Sequence, residues 1–167
     1  MDNLLGFEPK NERVFKLSVK LKYYNLTLML VHALNVEQVE VVKEEFYSSL
    51  EKVCDAIPNY DVETKLGDFI AKVGRESVLY PACGGHSLYN KTIDDGKRMV
   101  NFTLGRDFAL TGTLCQHKVT WRSRDNKICN QIYHILIRRH CTNVCYVKRM
   151  RGAEIESNHF LRGPKLD

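Results

Sequence analysis

Two neighbouring apolar segments, at residues 14–21 and 24–33, constrain this chain more than any other feature of its sequence. In the first, apolar and polar side chains alternate, which is the pattern of a half-buried strand. The second is apolar on both faces, which is typical of a more central strand. Only a short link around 22–24 separates them, so the sequence predicts a β-hairpin within a packed sheet. The alternating residues of the first segment are apolar Phe15, Leu17, Val19 and Leu21 and polar Lys16, Ser18 and Lys20.

Two helices are predicted on either side of a long loop. The first covers about 37–57 and ends at Pro58, and the second runs from Asp94 to about Gly105, with acidic side chains at its positive N-terminus. Residues 72–93 carry no clear period, and a loop of this length in a compact domain is usually functional or disordered. The apolar positions that recur at spacings of three and four in the first helix are Val39, Val42, Phe46, Leu50, Val53 and Ile57.

Further strands are predicted in quick succession near 108–113, 118–122, 129–137 and 144–148, with a turn at 124–127. A short strand also leads into Leu66-Gly67-Asp68-Phe69. This order of elements favours an α/β chain in which β-sheets pack together and helices lie outside. The 167 residues correspond to about one domain, so we expect a single domain.

The composition is that of a globular protein, with 44% hydrophobic and 27% charged residues. No apolar run approaches the roughly 18 residues of a membrane span, and no secretory pattern is seen, so we expect a soluble intracellular protein, nuclear or cytoplasmic, without a membrane partner. The six cysteines are then expected to be reduced thiols. The spacing of the cysteines and histidines fits no usual Cys-x2-Cys pair, so no zinc site is predicted.

Basic residues are concentrated late in the chain. Residues 118–151 contain nine lysines and arginines and only one acidic residue, Asp125, whereas the whole chain has a net charge of +5. A basic segment in an otherwise slightly acidic molecule suggests a polyanion partner. The alternative is a solvated basic face without a ligand.

Five short segments, in order, resemble a known family: VHALN at 31–35, LGDFIAKVG at 66–74, TWRS at 120–123, NQIYHILI at 130–137 and SNH at 157–159. They are similar to the endonuclease/exonuclease/phosphatase superfamily, specifically to the endonuclease domain of non-LTR retrotransposons, and the similarity covers about 7–163. The resemblance implies a four-layer fold with two packed β-sheets flanked by helices. It also implies Mg²⁺-dependent hydrolysis of DNA phosphodiesters, with no small-molecule cofactor.

The resemblance assigns roles to individual residues. Asp68 matches the aspartate that orients or deprotonates the attacking water, and His159 matches the catalytic histidine. Three other positions depart from the family. Ile70 stands in place of an asparagine that binds phosphate, Tyr133 in place of an aspartate, and Asn158 in place of the aspartate that orients the histidine. An alkyl group, a neutral phenol and an amide cannot supply these functions in full.

The same resemblance makes His32, Asn35, Trp121 and Arg122 the candidate nucleic-acid contacts. His32 falls at a phosphate-contacting position. For Trp121, the alternative to DNA contact is a packing role in the core or at its rim. The family's upstream asparagine and metal-binding glutamate have no counterpart, which implies an N-terminally truncated domain. Since Mg²⁺ needs well-placed oxygen ligands, its binding here is in doubt, and no metal ligand is assigned.

These departures predict an endonuclease-like domain that no longer cuts DNA. Two alternatives stay open at this point. One is a nucleic-acid-binding module without catalysis that uses the basic segment, and the other is a decayed copy without a role. The resemblance leaves the oligomeric state unknown.

Overall fold

The structure is a computed structural model that describes residues 3–34, 37–80, 82–114, 119–125, 127–141, 145–149 and 162–166, the last two as backbone alone. Asn35, Asn158 and His159, three of the predicted site residues, lie outside these ranges. Among the described residues, no helix is both long and apolar enough to cross a membrane.

The described elements are two α-helices, ten β-strands and three short 3₁₀ turns. The helices are α1 (Glu40–Asp55) and α2 (Asp94–Gly105). The first five strands are β1 (Leu4–Asn11), β2 (Val14–Lys20), β3 (Asn25–His32), β4 (Val62–Asp68) and β5 (Phe108–Leu110). The others are β6 (Trp121–Arg122), β7 (Cys129–Asn130), β8 (Tyr133–Arg138), β9 (Cys145–Arg149) and β10 (Arg162–Leu166).

Six strands form one mixed sheet in the order β1-β2-β3-β4-β8-β5. β2 and β3 form the predicted antiparallel hairpin, and β3 lies inside the sheet, as its apolar character on both faces predicted. Helix α1 connects β3 to β4, which run parallel, so the carboxyl ends of these two strands meet at the same edge. Two-stranded sheets β6-β7 and β9-β10 complete the predicted mixed α/β architecture.

Both helices pack on one face of this sheet. Phe46, Leu50 and Cys54 of α1 and Met99 and Phe102 of α2 belong to one buried cluster with β-strand side chains such as those of Val14, Met29, Val31, Phe108 and Leu136. The opposite face contributes a second, smaller buried cluster at the β4 and β8 end, which includes Val62, Ile135 and Ile137. The main hydrophobic core therefore lies between the sheet and the two helices.

An ion-pair group is buried within the helix-covered side of the sheet. Lys65 is 0% exposed, and its Nζ lies 2.6 Å from Oε1 of Glu63, which is 1% exposed. Arg138 donates from Nε to the other carboxylate oxygen, at 2.8 Å. The Lys65 ammonium also lies 3.5 Å from the ring centroid of Phe108. The Phe102 ring centroid is 5.7 Å from the same ammonium, so one carboxylate and two aromatic rings balance two cations where water has little access.

Some sequence predictions need correction. The predicted strand at 129–137 is two short strands, β7 and β8, because Gln131 lies between them with its side chain turned into the protein and hydrogen-bonded to loop backbone. The predicted strand at 108–113 ends at Leu110 and continues as a 3₁₀ turn. In β2, the most buried side chain is Val14, on the face opposite to Phe15 and Leu17, which are only half-buried.

Candidate functional site

Three side chains that the sequence singled out lie in one row at an edge of the six-stranded sheet. His32 ends β3, Asp68 ends β4 and Tyr133 begins β8. The strand register pairs His32 with Asp68 and Asp68 with Tyr133. Directly paired residues project to the same face of a sheet, so these side chains are neighbours. The convergence of strand ends implied by the family resemblance is therefore present for these three positions.

Asp68 sits at the centre of this row and is half-buried. Its Oδ1 accepts a hydrogen bond from the backbone N–H of Ile70, at 3.0 Å. The hydroxyl of Tyr133 donates a second hydrogen bond to the Asp68 carboxylate. Burial, and then the negative charge of Asp68, raise the pKa of Tyr133 to about 12. The phenol is therefore neutral at physiological pH and adds no second carboxylate to the site.

Ile70 adopts an unusual backbone conformation beside Asp68. Its φ angle is +49°, in the left-handed region, where asparagine and glycine are common and β-branched residues are genuine outliers. The left-handed conformation costs roughly 1–2 kcal/mol for a residue with a Cβ. The backbone at Ile70 thus has the conformation that asparagine, the residue of the resembling family at this position, adopts more readily, while the isoleucine side chain offers no hydrogen bond.

The two glycines of the LGDFIAKVG segment allow close backbone approaches. A Cβ on Gly67 would lie 1.8 Å from the carbonyl oxygen of Val31 on the neighbouring strand. A Cβ on Gly74 would lie 2.7 Å from the carbonyl carbon of Lys91. These contacts position Asp68 relative to β3 on one side and the long loop relative to the segment on the other.

The long loop at 72–93 is held against the site by polar contacts. Gln131 is 1% exposed, accepts the backbone N–H of Leu88 at 2.8 Å and donates to the carbonyl of Gly112 at 3.2 Å. Glu76 accepts both the N–H and the hydroxyl of Thr92, at 2.7 and 2.8 Å, and these contacts lower the pKa of Glu76. The loop is therefore held at Leu88 by Gln131, which lies just before β8, and its first part is joined by Glu76 to its last part at Thr92.

Sequence reasoning assigned no role to Gln131 or Tyr89, although both shape this edge. The Tyr89 hydroxyl donates to Oδ1 of Asn130 and accepts the N–H of Gln131, and the Lys72 ammonium lies 5.5 Å from the Tyr89 ring centroid. The available signal was a polar pair, Asn130-Gln131, at the start of an otherwise apolar strand.

Trp121 and Arg122 lie on the β6-β7 hairpin next to this row. The hydroxyl oxygen of Thr120 accepts the backbone N–H groups of Ile132 and Tyr133, at 3.0 and 3.2 Å, which joins the hairpin to the start of β8. Trp121 is half-buried, and Arg122 is exposed. The structure therefore brings both candidates to the same edge as Asp68.

The basic segment is less uniform than its composition suggests. Arg138 is paired with Glu63, and Arg139 with Asp107 at 3.1 Å, so acidic groups from elsewhere in the fold offset part of its charge. Arg124 and Lys127, which flank the tip of the β6-β7 hairpin, are exposed. Within the described part of the basic segment, the exposed lysine and arginine side chains are therefore those of this hairpin.

The residues that the structure describes do not fit a divalent metal ion. They contain no group of three or more histidine, cysteine, aspartate or glutamate side chains placed to hold one. In the row itself, the described neighbours of Asp68 are an imidazole, a phenol and an isoleucine. Mg²⁺ prefers several oxygen ligands in near-octahedral geometry, which one carboxylate does not provide.

Comparison with known proteins agrees with this architecture. The chain is 29% identical over 163 residues to craniofacial development protein 2 of Bos taurus, a match that covers 95% of this chain and 27% of that protein. The chain thus spans about a quarter of the length of that curated relative. No protein-family model matches the chain.

Solved structures share the fold at low sequence identity. The endonuclease domain of TRAS1, a telomere-specific non-LTR retrotransposon, is 10% identical, with a TM-score of 0.68 over 96% of this chain and 65% of that domain. An endonuclease/exonuclease/phosphatase family protein from Leptotrichia buccalis is 12% identical, with a TM-score of 0.56 over 92% of this chain and 52% of that protein. The chain therefore has the endonuclease/exonuclease/phosphatase fold and resembles, in sequence, part of craniofacial development protein 2.

Proposed function

We propose that this chain is an endonuclease-like domain of retrotransposon origin in which hydrolysis of DNA phosphodiesters has been lost. The observation that carries the proposal is the contact between Tyr133 and Asp68, at the point where the resembling family has two carboxylates. The structural similarity to the TRAS1 endonuclease domain supports the origin.

The chemistry of phosphodiester hydrolysis explains why this contact matters. A carboxylate must accept a proton from the attacking water, and positive charge or a metal must offset the negative charge that builds up on the phosphate. Asp68 is already a double acceptor, from the Ile70 N–H and the Tyr133 hydroxyl, and both bonds stabilise its charged form. Two acceptor positions of the carboxylate are therefore already occupied by protein donors.

The neighbouring positions do not compensate. Tyr133 remains protonated at neutral pH and supplies no oxygen anion, and Ile70 cannot donate to a phosphate oxygen. The described residues around Asp68 therefore provide neither the oxygen ligands that a metal ion needs nor a second carboxylate that would help to hold one.

A plasmid-nicking assay with Mg²⁺ or Mn²⁺ tests this proposal. We expect the purified chain to leave supercoiled plasmid intact, and the Asp68→Ala and His159→Ala variants to behave in the same way. Circular dichroism melts should confirm that all three proteins are folded. Nicking by the unmodified chain that disappears in both variants would show that the domain is an active nuclease.

A second candidate function is nucleic-acid binding without catalysis. Arg122, Arg124 and Lys127 are exposed on the β6-β7 hairpin, which also carries the half-buried Trp121 and is joined to the start of β8 through the Thr120 hydroxyl. Asp125 accepts the Ser123 hydroxyl and the N–H of Lys127, contacts that lower its pKa and order the turn that presents these cations.

A salt titration of affinity for a short DNA duplex separates this function from the first. The slope of log affinity against log salt should fall by about one unit for each lysine- or arginine-phosphate contact that is removed. We expect this for Arg124→Ala and Lys127→Ala but not for Lys97→Ala, an exposed lysine on α2 that is paired with Asp94. Absence of measurable binding at low salt would exclude this function.

A further inference from the structure

A groove lies between helices α1 and α2 on their solvent-exposed side, and we call it the interhelix groove. Its floor is formed by the rings of Tyr47 and Phe102, whose centroids are 5.7 Å apart. It encloses about 440 Å³, which is within the range of roughly 300–1,000 Å³ found for ligand pockets. Its walls are Glu44, Ser48 and Glu51 of α1 and Arg98 and Asn101 of α2.

Ion pairs join the two helices at both ends of the interhelix groove. At one end, Arg98 of α2 pairs with Glu40 and Glu44 of α1. At the other end, Arg106, which follows α2, pairs with Asp55 at the end of α1. The helices therefore run side by side in the same direction, and their C-termini, which carry partial negative charge, lie at the same end of the groove.

The middle of the interhelix groove stays open because the residues that face each other there are short and polar. Ser48 and Asn101 line this part, and both are exposed. Beneath them lie the half-buried Tyr47 and the buried Phe102. A side chain that entered between Ser48 and Asn101 would therefore reach two aromatic rings.

The charges around the interhelix groove are unbalanced. Glu40, Glu44, Glu51 and Asp55 follow one another at helical spacings of four, seven and four residues, which places them along one side of α1. Like charges at such spacings destabilise a helix, and the two arginines offset only part of this repulsion. Together, the two helices and Arg106 carry seven acidic and five basic side chains. The surplus is therefore negative.

The fold leaves this side of the helices facing outwards. In the endonuclease/exonuclease/phosphatase fold the helices form the outer layers, and the second sheet packs on the face of the first sheet that the helices do not cover. The Glu40 and Glu44 side chains are 64% and 68% exposed. Because no residue of the groove belongs to the row of His32, Asp68 and Tyr133, an inference about the groove is independent of the proposed function.

We propose that the interhelix groove binds a basic segment of a partner protein, with an arginine or lysine side chain between Glu44 and Glu51 and above the rings of Tyr47 and Phe102. Carboxylates and aromatic faces together are the surroundings that a cation prefers. The negative surplus repels a nucleic-acid phosphate, so this surface has the opposite preference to the β6-β7 hairpin. Glu44 and Glu51 are seven residues apart, or roughly 10 Å along the helix, which matches about three residues of an extended peptide.

An NMR titration of the isotope-labelled chain tests this proposal, with a peptide of about eight residues that alternates arginine and glycine, at low salt. We expect the shifts of backbone amides to concentrate in the middle turns of α1 and α2. Glu51→Gln should weaken binding about threefold or more, as expected for the loss of one partly exposed ion pair. Ser48→Lys should abolish saturable binding, because the new ammonium fills the groove and cancels part of its charge.

Glu45→Gln is the matched control. Glu45 is also exposed on α1 but lines a different cavity, so its substitution removes the same charge from another face and should leave the affinity unchanged. All three substitutions are at exposed positions, and the amide spectrum of each variant shows whether it is folded.

Four results would overturn the proposal. One is the absence of saturable shifts with the arginine peptide up to about 1 mM. The second is equal binding of a peptide with glutamine in place of arginine, and the third is an equal loss of affinity in Glu45→Gln and Glu51→Gln. The fourth is a set of shifts located outside the two helices. DNA affinity and plasmid nicking are measured separately, so failure of this proposal is distinguishable from failure of the proposed function.

Discussion

Glu63 is a fully buried carboxylate in contact with two cations, Lys65 and Arg138, on the helix-covered side of the sheet. Substituting it by glutamine keeps the size and a hydrogen-bonding carbonyl but removes the charge. We expect Glu63→Gln to be one of the most destabilising single substitutions in this chain.

The magnitude follows from the burial of its partners. Lys65 is 0% exposed, so without Glu63 its ammonium remains in the core with no carboxylate partner, next to the rings of Phe102 and Phe108. Removing one partner of a buried ion pair costs about 3–5 kcal/mol of unfolding free energy. Since a domain is stabilised by about 5–15 kcal/mol, this loss is a large part of the total.

Urea unfolding followed by circular dichroism measures the loss. The double variant Glu63→Gln/Lys65→Met should recover most of it, because methionine fills the lysine's volume without a charge. Arg138, whose side chain is 24% exposed, can turn towards water in both variants. Lys97→Met is the control, since the pair of Lys97 and Asp94 is largely exposed and should leave the urea midpoint unchanged.

The effect should also depend on pH in a defined direction. Burial lowers the pKa of Lys65 in the folded protein, and the charge of Glu63 partly opposes that shift. Without Glu63 the folded-state pKa falls further, so the unfolded chain binds more protons at pH values up to the ordinary 10.5. Stability of the variant relative to the unmodified chain should therefore rise between pH 7 and pH 10. A loss below about 1 kcal/mol, or one that does not shrink over this range, would refute the reasoning.

Three further predictions concern the backbone around the candidate site. Ile70→Asn should leave the free energy of unfolding in urea unchanged or raise it by about 1 kcal/mol, because asparagine tolerates the left-handed conformation. Ile132→Asn, at another half-buried isoleucine, is the control and should lower that free energy by about 1–2 kcal/mol. Equal losses in the two variants would contradict the strain at Ile70. Gly67→Ala should lower the free energy of unfolding by more than about 3 kcal/mol or prevent folding, because the new Cβ would collide with the Val31 carbonyl. Gly6→Ala is the control: it has open space around it and should change the melting temperature little. Gln131→Leu should lower the free energy of unfolding by about 1–3 kcal/mol, because the Leu88 N–H loses its side-chain acceptor, and hydrogen exchange of residues 84–92 should accelerate selectively; unchanged protection of that loop would exclude its role as a clamp.

Local elements were largely predictable from the sequence. The β2-β3 hairpin, both helices and the strand that ends at Asp68 follow from apolar periodicity and from chain breakers such as Pro58. These signals depend on neighbours within a few residues, so one sequence is enough to recognise them. β1 escaped prediction because Gly6 and Pro9 interrupt any alternation, and the strand forms through its pairing with β2.

The composition of the site was predictable only in part. The resemblance identified Asp68, Ile70 and Tyr133 as positions of interest, but the hydrogen bond from the tyrosine hydroxyl to the aspartate depends on the pairing of β4 with β8. The placement of Trp121 and Arg122 beside them depends on contacts of the Thr120 hydroxyl with the start of β8. Neither contact has a signature within a short window of sequence.

The sequence by itself therefore determined most of the strands and helices and that β3 is apolar on both faces, and its resemblance to a known family pointed to the positions around Asp68. Only the tertiary structure decided which of those residues meet and that two arginines of the basic segment are paired with acids. The physical reason is that strand pairing and sheet coverage are non-local: they join residues far apart in the chain, and their free energy depends on partners that no local pattern specifies.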